Sequence, residues 1–228
     1  MREQYATPDN LRARKSAYVN ALGDDPRQFA FEAVAAEGPK RVLEVGGGEG
    51  ELAERIQDEL GVEVVSLDQS AAMVYEQRSK GLDARVGDVQ ELPFADGEFD
   101  VAVAAWMLYH VQDLDRALGE LARVLEPDGV LVAVTNAADH LQELWDLAQR
   151  ASRIGRFNFR SDNGEQVLRG HFAHVERRDA RGSVTMDDTT VHRFAESWEA
   201  LAPLVRMPPL GEPVRVTRHS TVFVARKA

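Results

Sequence analysis

Arg41-Val42-Leu43-Glu44-Val45-Gly46-Gly47-Gly48-Glu49-Gly50 is the stretch on which the fold turns. A short, mostly aliphatic strand runs into a glycine-rich turn. Leu52, Ala53, Ile56 and Leu60 follow at helical spacing, and Gly61 ends the helix. The same succession repeats outward. Residues 62–67 read as a second strand ending at Asp68, with a helix over 70–80 behind it. Residues 84–86 read as a third strand, leading to Gly87-Asp88. Phe99–Ala105 is apolar at nearly every position, as in a parallel strand covered by helices on both faces. A helix over 113–124, a turn at Pro127-Asp128-Gly129 and a strand over 130–135 continue the alternation, which specifies an α/β doubly wound sheet. Right-handed crossovers place helices on both of its faces.

Upstream, Thr7-Pro8 opens a polar helix over 7–21, since proline suits a first turn. Gly23-Asp24-Asp25-Pro26 breaks it, and a second helix covers 27–37. Beyond Asn136 the periodicity loosens. Helices are expected over 140–152, 164–171 and 189–204, an irregular stretch over 155–163, and strands over 174–186 and 214–225.

Hydrophobic residues make up 44% of the 228 and charged residues 29%, the balance of a globular chain that can bury a core. The lack of cysteine excludes disulfides, thiol nucleophiles and zinc–thiolate sites, and no metal is expected. A net charge of −11 disfavours nucleic acid as a partner. Residues 1–20 carry Arg2, Arg12, Arg14 and Lys15 without a continuous apolar stretch, and no run is long enough to span a bilayer. A cytoplasmic chain without a membrane partner is therefore expected.

Ligands of an open parallel sheet bind beyond the carboxyl ends of its strands. Gly46, Gly48 and Gly50 follow the first strand, and the free N–H groups of the next helix face the same cleft. Asp68 ends the second strand, where a carboxylate can accept both hydroxyl hydrogens of a ribose. Asp88 follows the third, placed to meet an adenine amino group. Glu44, Asp68 and Asp88 would converge on a ligand carrying a sulfonium or an ammonium. Taken singly, a glycine-rich turn also suits the pyrophosphate of a dinucleotide, and an aspartate at a strand end also serves as a helix cap. Here the glycines depart from the G-x-G-x-x-G spacing. Glu49 and Glu51 add negative charge at the mouth of the helix, which repels a pyrophosphate but not a zwitterionic amino acid tail. S-adenosylmethionine (SAM) fits these residues better than a nicotinamide or flavin dinucleotide.

Four blocks resemble the class I SAM-dependent methyltransferases, and within them the type-11 methyltransferase domains. They are residues 42–50, Val65-Ser66-Leu67-Asp68-Gln69-Ser70 with Met73, residues 87–94 with Phe99-Asp100-Val101, and residues 121–129. Together they span 40–136 in the family's order. The resemblance implies a Rossmann-like doubly wound sheet of seven strands, mostly parallel, with the last antiparallel. It also implies SAM as cofactor and S-adenosylhomocysteine (SAH) as product. Glu44, Gly46, Gly47, Gly48 and Gly50 would bind the methionine portion, and Asp68 the ribose. Gln69 and Met73 would line the adenosine pocket. Asp88 would meet the adenine amino group with the Val89 amide beside it, Gly87 would belong to the same cofactor-binding set, and Ala105 and Trp106 would approach the methionine end. Gly47 and Glu49 depart from the cysteine and the threonine or proline common in the family, at positions that act mainly through backbone. Residues 1–228 then read as one domain, with its core over 40–136, an N-terminal helical cap over 1–38 and a helical segment over 137–172 on the acceptor side.

Methyl transfer from a sulfonium is an in-line displacement on an activated donor, so alignment and desolvation carry much of it. A base is needed only when the acceptor arrives protonated. His110 and Tyr109, just beyond the fourth strand, are the candidate catalytic residues, although His110 could equally pack or cap the next helix. Tyr5 and Tyr18 could close over the cofactor. Trp145, Phe157 and Phe159 could line an acceptor pocket or belong to the core. Arg153, Arg156 and Arg160 form a basic run that could bind an acidic acceptor. No Asn/Asp-Pro-Pro-Tyr/Phe motif follows Phe99–Ala105; base-amino methyltransferases that resemble this fold usually carry one, so the resemblance further disfavours nucleic acid. A small-molecule acceptor is expected, of unspecified identity, and the oligomeric state is open. A SAM-binding protein without turnover and a dinucleotide-dependent oxidoreductase remain the alternatives.

Overall fold

The computed structural model describes residues 8–149, 156–198, 201–206 and 208–228. Within them, β1 (Leu22–Gly23), β2 (Arg41–Val45), β3 (Glu63–Asp68), β4 (Asp83–Val86), β5 (Phe99–Ala105), β6 (Leu125–Asn136), β7 (His174–Met186) and β8 (Val214–Arg226) form one sheet. Its spatial order is β1-β7-β8-β6-β5-β2-β3-β4. Neighbours from β4 across to β6 pair in parallel. β8 runs antiparallel to both β6 and β7. The helices are α1 (Asp9–Ser16), α2 (Pro26–Ala36), α3 (Glu51–Leu60), α4 (Ala71–Ser79), α5 (Leu114–Val124), α6 (Gln142–Leu147), α7 (Gly164–Leu168), α8 (Asp188–Glu196) and α9 (Ala202–Val205).

The central strands are apolar throughout because alternate residues feed two cores. Leu43, Val45, Ala102, Ala104, Leu131 and Ala133 pack with Ala117, Leu118 and Leu121 of α5 on one face. Val42, Val101, Val103, Val130 and Val132 pack with α2 and α3 on the other. A third cluster joins Trp145 of α6 to α8 and the far ends of β7 and β8. Helix starts follow side-chain caps: Asp25, Ser70, Asp113 and Asp187 each accept an amide of the first turn.

The expected mostly parallel sheet with an antiparallel last strand is present in β2 to β8. The count of seven is corrected to eight by β1, which lies in the segment read only as a helix break. It pairs antiparallel with β7, Leu22 opposite Ser183 and Gly23 opposite Gly182. Two residues carry no alternation to read, and the contact depends on Gly182, where a Cβ would collide with the Leu22 carbonyl. Pro127-Asp128-Gly129 is a bulge inside β6 rather than a turn before it. Pairing passes from Phe99–Leu125 directly to Val101–Val130, and Asp128 takes φ +62°. The helix expected over 189–204 divides into α8 and α9, and that expected over 7–21 contracts to α1. Thr7 lies outside the described residues. No described helix is long and apolar enough to cross a membrane.

Candidate active site

The turn after β2 is built around Glu44. Strand alternation sends its side chain to the α3 face, where it is buried. Gly50, the residue before α3, takes φ +75° and has no side chain with which to cap the helix. The Glu44 carboxylate does it instead, accepting the Ala53 amide. That occupies part of the carboxylate, and Glu44 Oε2 is buried without a hydrogen-bond partner. Burial, and secondarily the charge of Asp68, raise the Glu44 carboxyl to about 7. A buried carboxylate oxygen with no donor is costly unless something fills the place.

Gly47 lies directly over this group, and a Cβ there would collide with the Glu44 carboxylate. Gly47→Ala is therefore expected to displace the acid, lower the melting temperature and weaken binding of any cation that Glu44 receives. Unchanged values in thermal melts and titrations would contradict this packing. Asp68, at the end of β3, accepts the Ser70 amide at 2.8 Å and the Gly48 amide at 3.4 Å, which ties the glycine turn to the second strand. Burial raises its carboxyl as well. Gln77, fully buried, donates to the Gly48 carbonyl at 2.6 Å. Sequence reading missed Gln77; a buried amide on an otherwise ordinary helix was its only signal.

Beyond β4, Gly87 donates to the Asp68 carbonyl at 3.1 Å. Burial works to raise the Asp88 carboxyl, but hydrogen bonds from the Gln90 amide, the Gln90 side chain and Gln69 hold it below the usual carboxylate range. Val89 is buried, and so is Met73 on α4. A crevice of about 160 Å³ opens beside Asp88, lined by Gln90, Glu91, Asp113 and Arg116. The structure thus brings Glu44, the glycine turn and Asp68 into one group, with Asp88 and Gln69 hydrogen-bonded at the next strand end.

The outer side of the turn is roofed. Leu11 of α1 packs against Gly48 and Met107 against Gly46. Glu49 pairs with Arg12 at 2.6 Å and Lys15 at 2.9 Å, and Lys15 also holds Glu51. The negative charge read at the mouth of the helix is therefore matched by α1. The contrast with a pyrophosphate site that rested on it is correspondingly blunted.

After β5, Trp106 takes φ +55° and donates from its indole to Asn136 Oδ1 at 3.0 Å. Ser220 donates to the same oxygen at 2.9 Å. Ala105 is half-buried at the strand end. Tyr109 stacks on Phe157, with ring centroids 4.7 Å apart, and meets His110 edge-on. His110 is lowered to about 4, chiefly by burial and further by the charge of Arg14, so it is neutral at pH 7.

Tyr18 belongs elsewhere than over the glycine turn. Its hydroxyl lies 3.3 Å from His140 Nε2 and its ring meets Phe194 edge-on. Trp145 and Phe159 are fully buried core residues. Arg160 is bound to Asp162 and the Phe157 carbonyl, and Arg156 is exposed. Tyr5 and Arg153 lie outside the described residues. Among the described residues no group of three acidic or histidine side chains could hold a metal.

An open sheet with a glycine turn after its first parallel strand and carboxylates at the next two strand ends defines a Rossmann-like domain. Residues 43–133 match the methyltransferase domain family. The chain is 39% identical over 108 residues to a demethylmenaquinone methyltransferase of Renibacterium salmoninarum, covering 46% of this chain and 45% of that relative. It is 36% identical over 140 residues to a malonyl-[acyl-carrier protein] O-methyltransferase of Enterobacter lignolyticus, covering 58% and 55%. The chain spans about half the length of the curated relatives it matches. Its fold is similar to that of the YcgJ protein of Bacillus subtilis, with a TM-score of 0.65 at 18% identity over 88% of this chain and 98% of that one.

Proposed function

We propose that this chain transfers the methyl group of SAM to a small-molecule acceptor. The observation that carries the reading is the buried Glu44 Oε2, which lacks a partner beneath a turn already tied to Asp68. An ammonium is the donor this oxygen lacks, and a ribose would meet Asp68 one strand away. The residues present therefore fit the cofactor. SAM, when bound, supplies a methyl group on a positively charged sulfur that leaves as the neutral thioether of SAH.

The chain's own part is to bind and align. Glu44 and the backbone of Gly46, Gly47, Gly48 and Gly50 hold the methionine portion, and Asp68 the ribose hydroxyls. Gln69, Met73, Gly87, Asp88 and Val89 form the adenine end. Ala105 and Trp106 border the methyl end, where residues 1–38 serve as cap and 137–172 as acceptor side. The acceptor's lone pair forms the new bond to carbon as the carbon–sulfur pair departs. A protonated acceptor gives its proton to neutral His110, which Tyr109 packs against, or to water. The two relatives are named for different acceptors, and both alignments reach little beyond half of this chain, so the acceptor is not inherited from them.

Calorimetry with SAM, SAH and NAD tests the cofactor, and a turnover screen over hydroxyl, amine and carbon acceptors tests the reaction. Binding of SAM and SAH but not NAD is expected. Failure of both sulfur nucleosides to bind would end this reading.

A further inference from the structure

Arginines from α1, α2 and β8 gather around Tyr18 in a chain whose net charge is −11. Arg218 lies over the Tyr18 ring at 5.6 Å, and Arg27 over the Trp106 ring at 5.7 Å. Neither makes a side-chain hydrogen bond or an ion pair with any described residue. Arg12, Arg41, Arg123 and Arg226 each hold a carboxylate by contrast. Arg218 is also half-buried, where an unmatched guanidinium is expensive.

The two stacked arginines hang from one framework. Trp106 and Ser220 both donate to Asn136, which links the ends of β5, β6 and β8. Arg218 sits two residues before Ser220 and so on the same face of β8. Arg14 of α1 joins them: its charge acts on Tyr18 together with those of Arg218 and Arg27, and it also reaches His110. The Tyr18 hydroxyl is oriented for use. The His219 amide donates to His140 Nδ1 at 3.1 Å, so neutral His140 carries its proton on Nε2 and donates it to Tyr18. The Tyr18 hydroxyl is then left with its own hydrogen to donate.

We propose that the methyl acceptor is an anion whose carboxylate or phosphate oxygens are received by Arg218 and Arg27, with the Tyr18 hydroxyl donating a further hydrogen bond. Guanidinium groups suit such oxygens because they present paired donors in a plane. The anion would leave its nucleophilic atom beside Trp106, at the methyl end. This deepens the methyltransferase reading and rests on it for the word acceptor. It also moves the anion site from Arg153, Arg156 and Arg160 to residues nearly 200 positions apart in sequence.

The test titrates SAH-saturated protein calorimetrically with benzoate, phenyl phosphate and hexanoate, each against a neutral counterpart: benzamide, phenol and hexanamide. At least one anion is expected to bind ten times more tightly than its counterpart. Arg218→Gln should erase that preference, Arg218→Lys should recover part of it, and Arg160→Gln should leave it intact. Thermal melts establish that each variant is folded, and Arg27→Gln carries the same comparison if Arg218→Gln is not. Anions that bind no better than their counterparts, or a preference that survives both Arg27→Gln and Arg218→Gln, overturn the proposal. Failure of SAH to bind overturns the methyltransferase reading instead, and the same titration on free protein still decides the anion site.

Discussion

Asp68→Ala lowers the affinity for SAM by about a hundredfold to ten-thousandfold. Two hydrogen bonds from ribose hydroxyls to an ionised carboxylate contribute about 1.5–3 kcal/mol each, and every 1.4 kcal/mol is about tenfold in affinity. The loss is enlarged because Asp68 also accepts the Gly48 amide, so its removal loosens the turn proposed to receive the methionine portion. Stability should change much less. The carboxylate is already penalised by burial, and deleting it relieves that cost while giving up the amides of Ser70 and Gly48. Asp68→Asn keeps one acceptor oxygen and loses the charge, and should fall about midway on a logarithmic scale. Calorimetry with SAH and thermal melts of both variants separate binding from folding. An Asp68→Ala variant that binds SAH as the parent does would remove the residue from the site.

The same strand ends show what the amino acid sequence can and cannot convey. Phe99–Ala105 is legible because both faces of β5 are buried, which forces an unbroken apolar run. Asp68 and Asp88 are legible because a parallel sheet places every strand's carboxyl end on one edge. The double use of Glu44 is not legible. That the acid caps α3 follows from Gly50 lacking a side chain, and that one oxygen is left over follows from the burial of the turn. The β1–β7 pairing is hidden because it spans two residues and depends on a glycine about 160 positions away. Tyr18 lies close to the helix that roofs the glycine turn, and helical periodicity alone could not tell whether it faces that turn or His140. Arg27 and Arg218 carry no signal singly, and the β1–β7–β8 pairing, with Gly23 opposite Gly182 and Gly182 opposite Arg218, brings their ends of the chain together. Local rules therefore reach the proposed cofactor end, which is built from consecutive turns. The proposed acceptor side is built from remote segments.

Affinity for SAM rises with pH through about 7, and Glu44→Gln flattens the rise. Glu44 is raised to about 7 by burial and by the charge of Asp68, so the free site is increasingly protonated below that pH. A cation must displace this proton, and each unit below 7 then costs about tenfold in affinity. At pH 5.5 binding should be about thirtyfold weaker than on the plateau. The linkage to folding has the opposite sign. The folded-state value lies above the ordinary 4.5, so the folded protein holds a proton that the unfolded chain releases in between. This group's contribution is fully present below 4.5 and is lost as pH rises through about 7. The free protein should thus lose stability over the same interval in which it gains affinity. In Glu44→Gln the carboxamide oxygen can still accept the Ala53 amide and carries no charge to bury. At pH 8 the variant should melt above the parent when free, yet bind SAM weakly and without pH dependence. Melting curves and titrations at pH 5.5, 7 and 8 read both signs. A parent affinity that is level across that range would mean that the Glu44 proton is not the one a bound cation displaces.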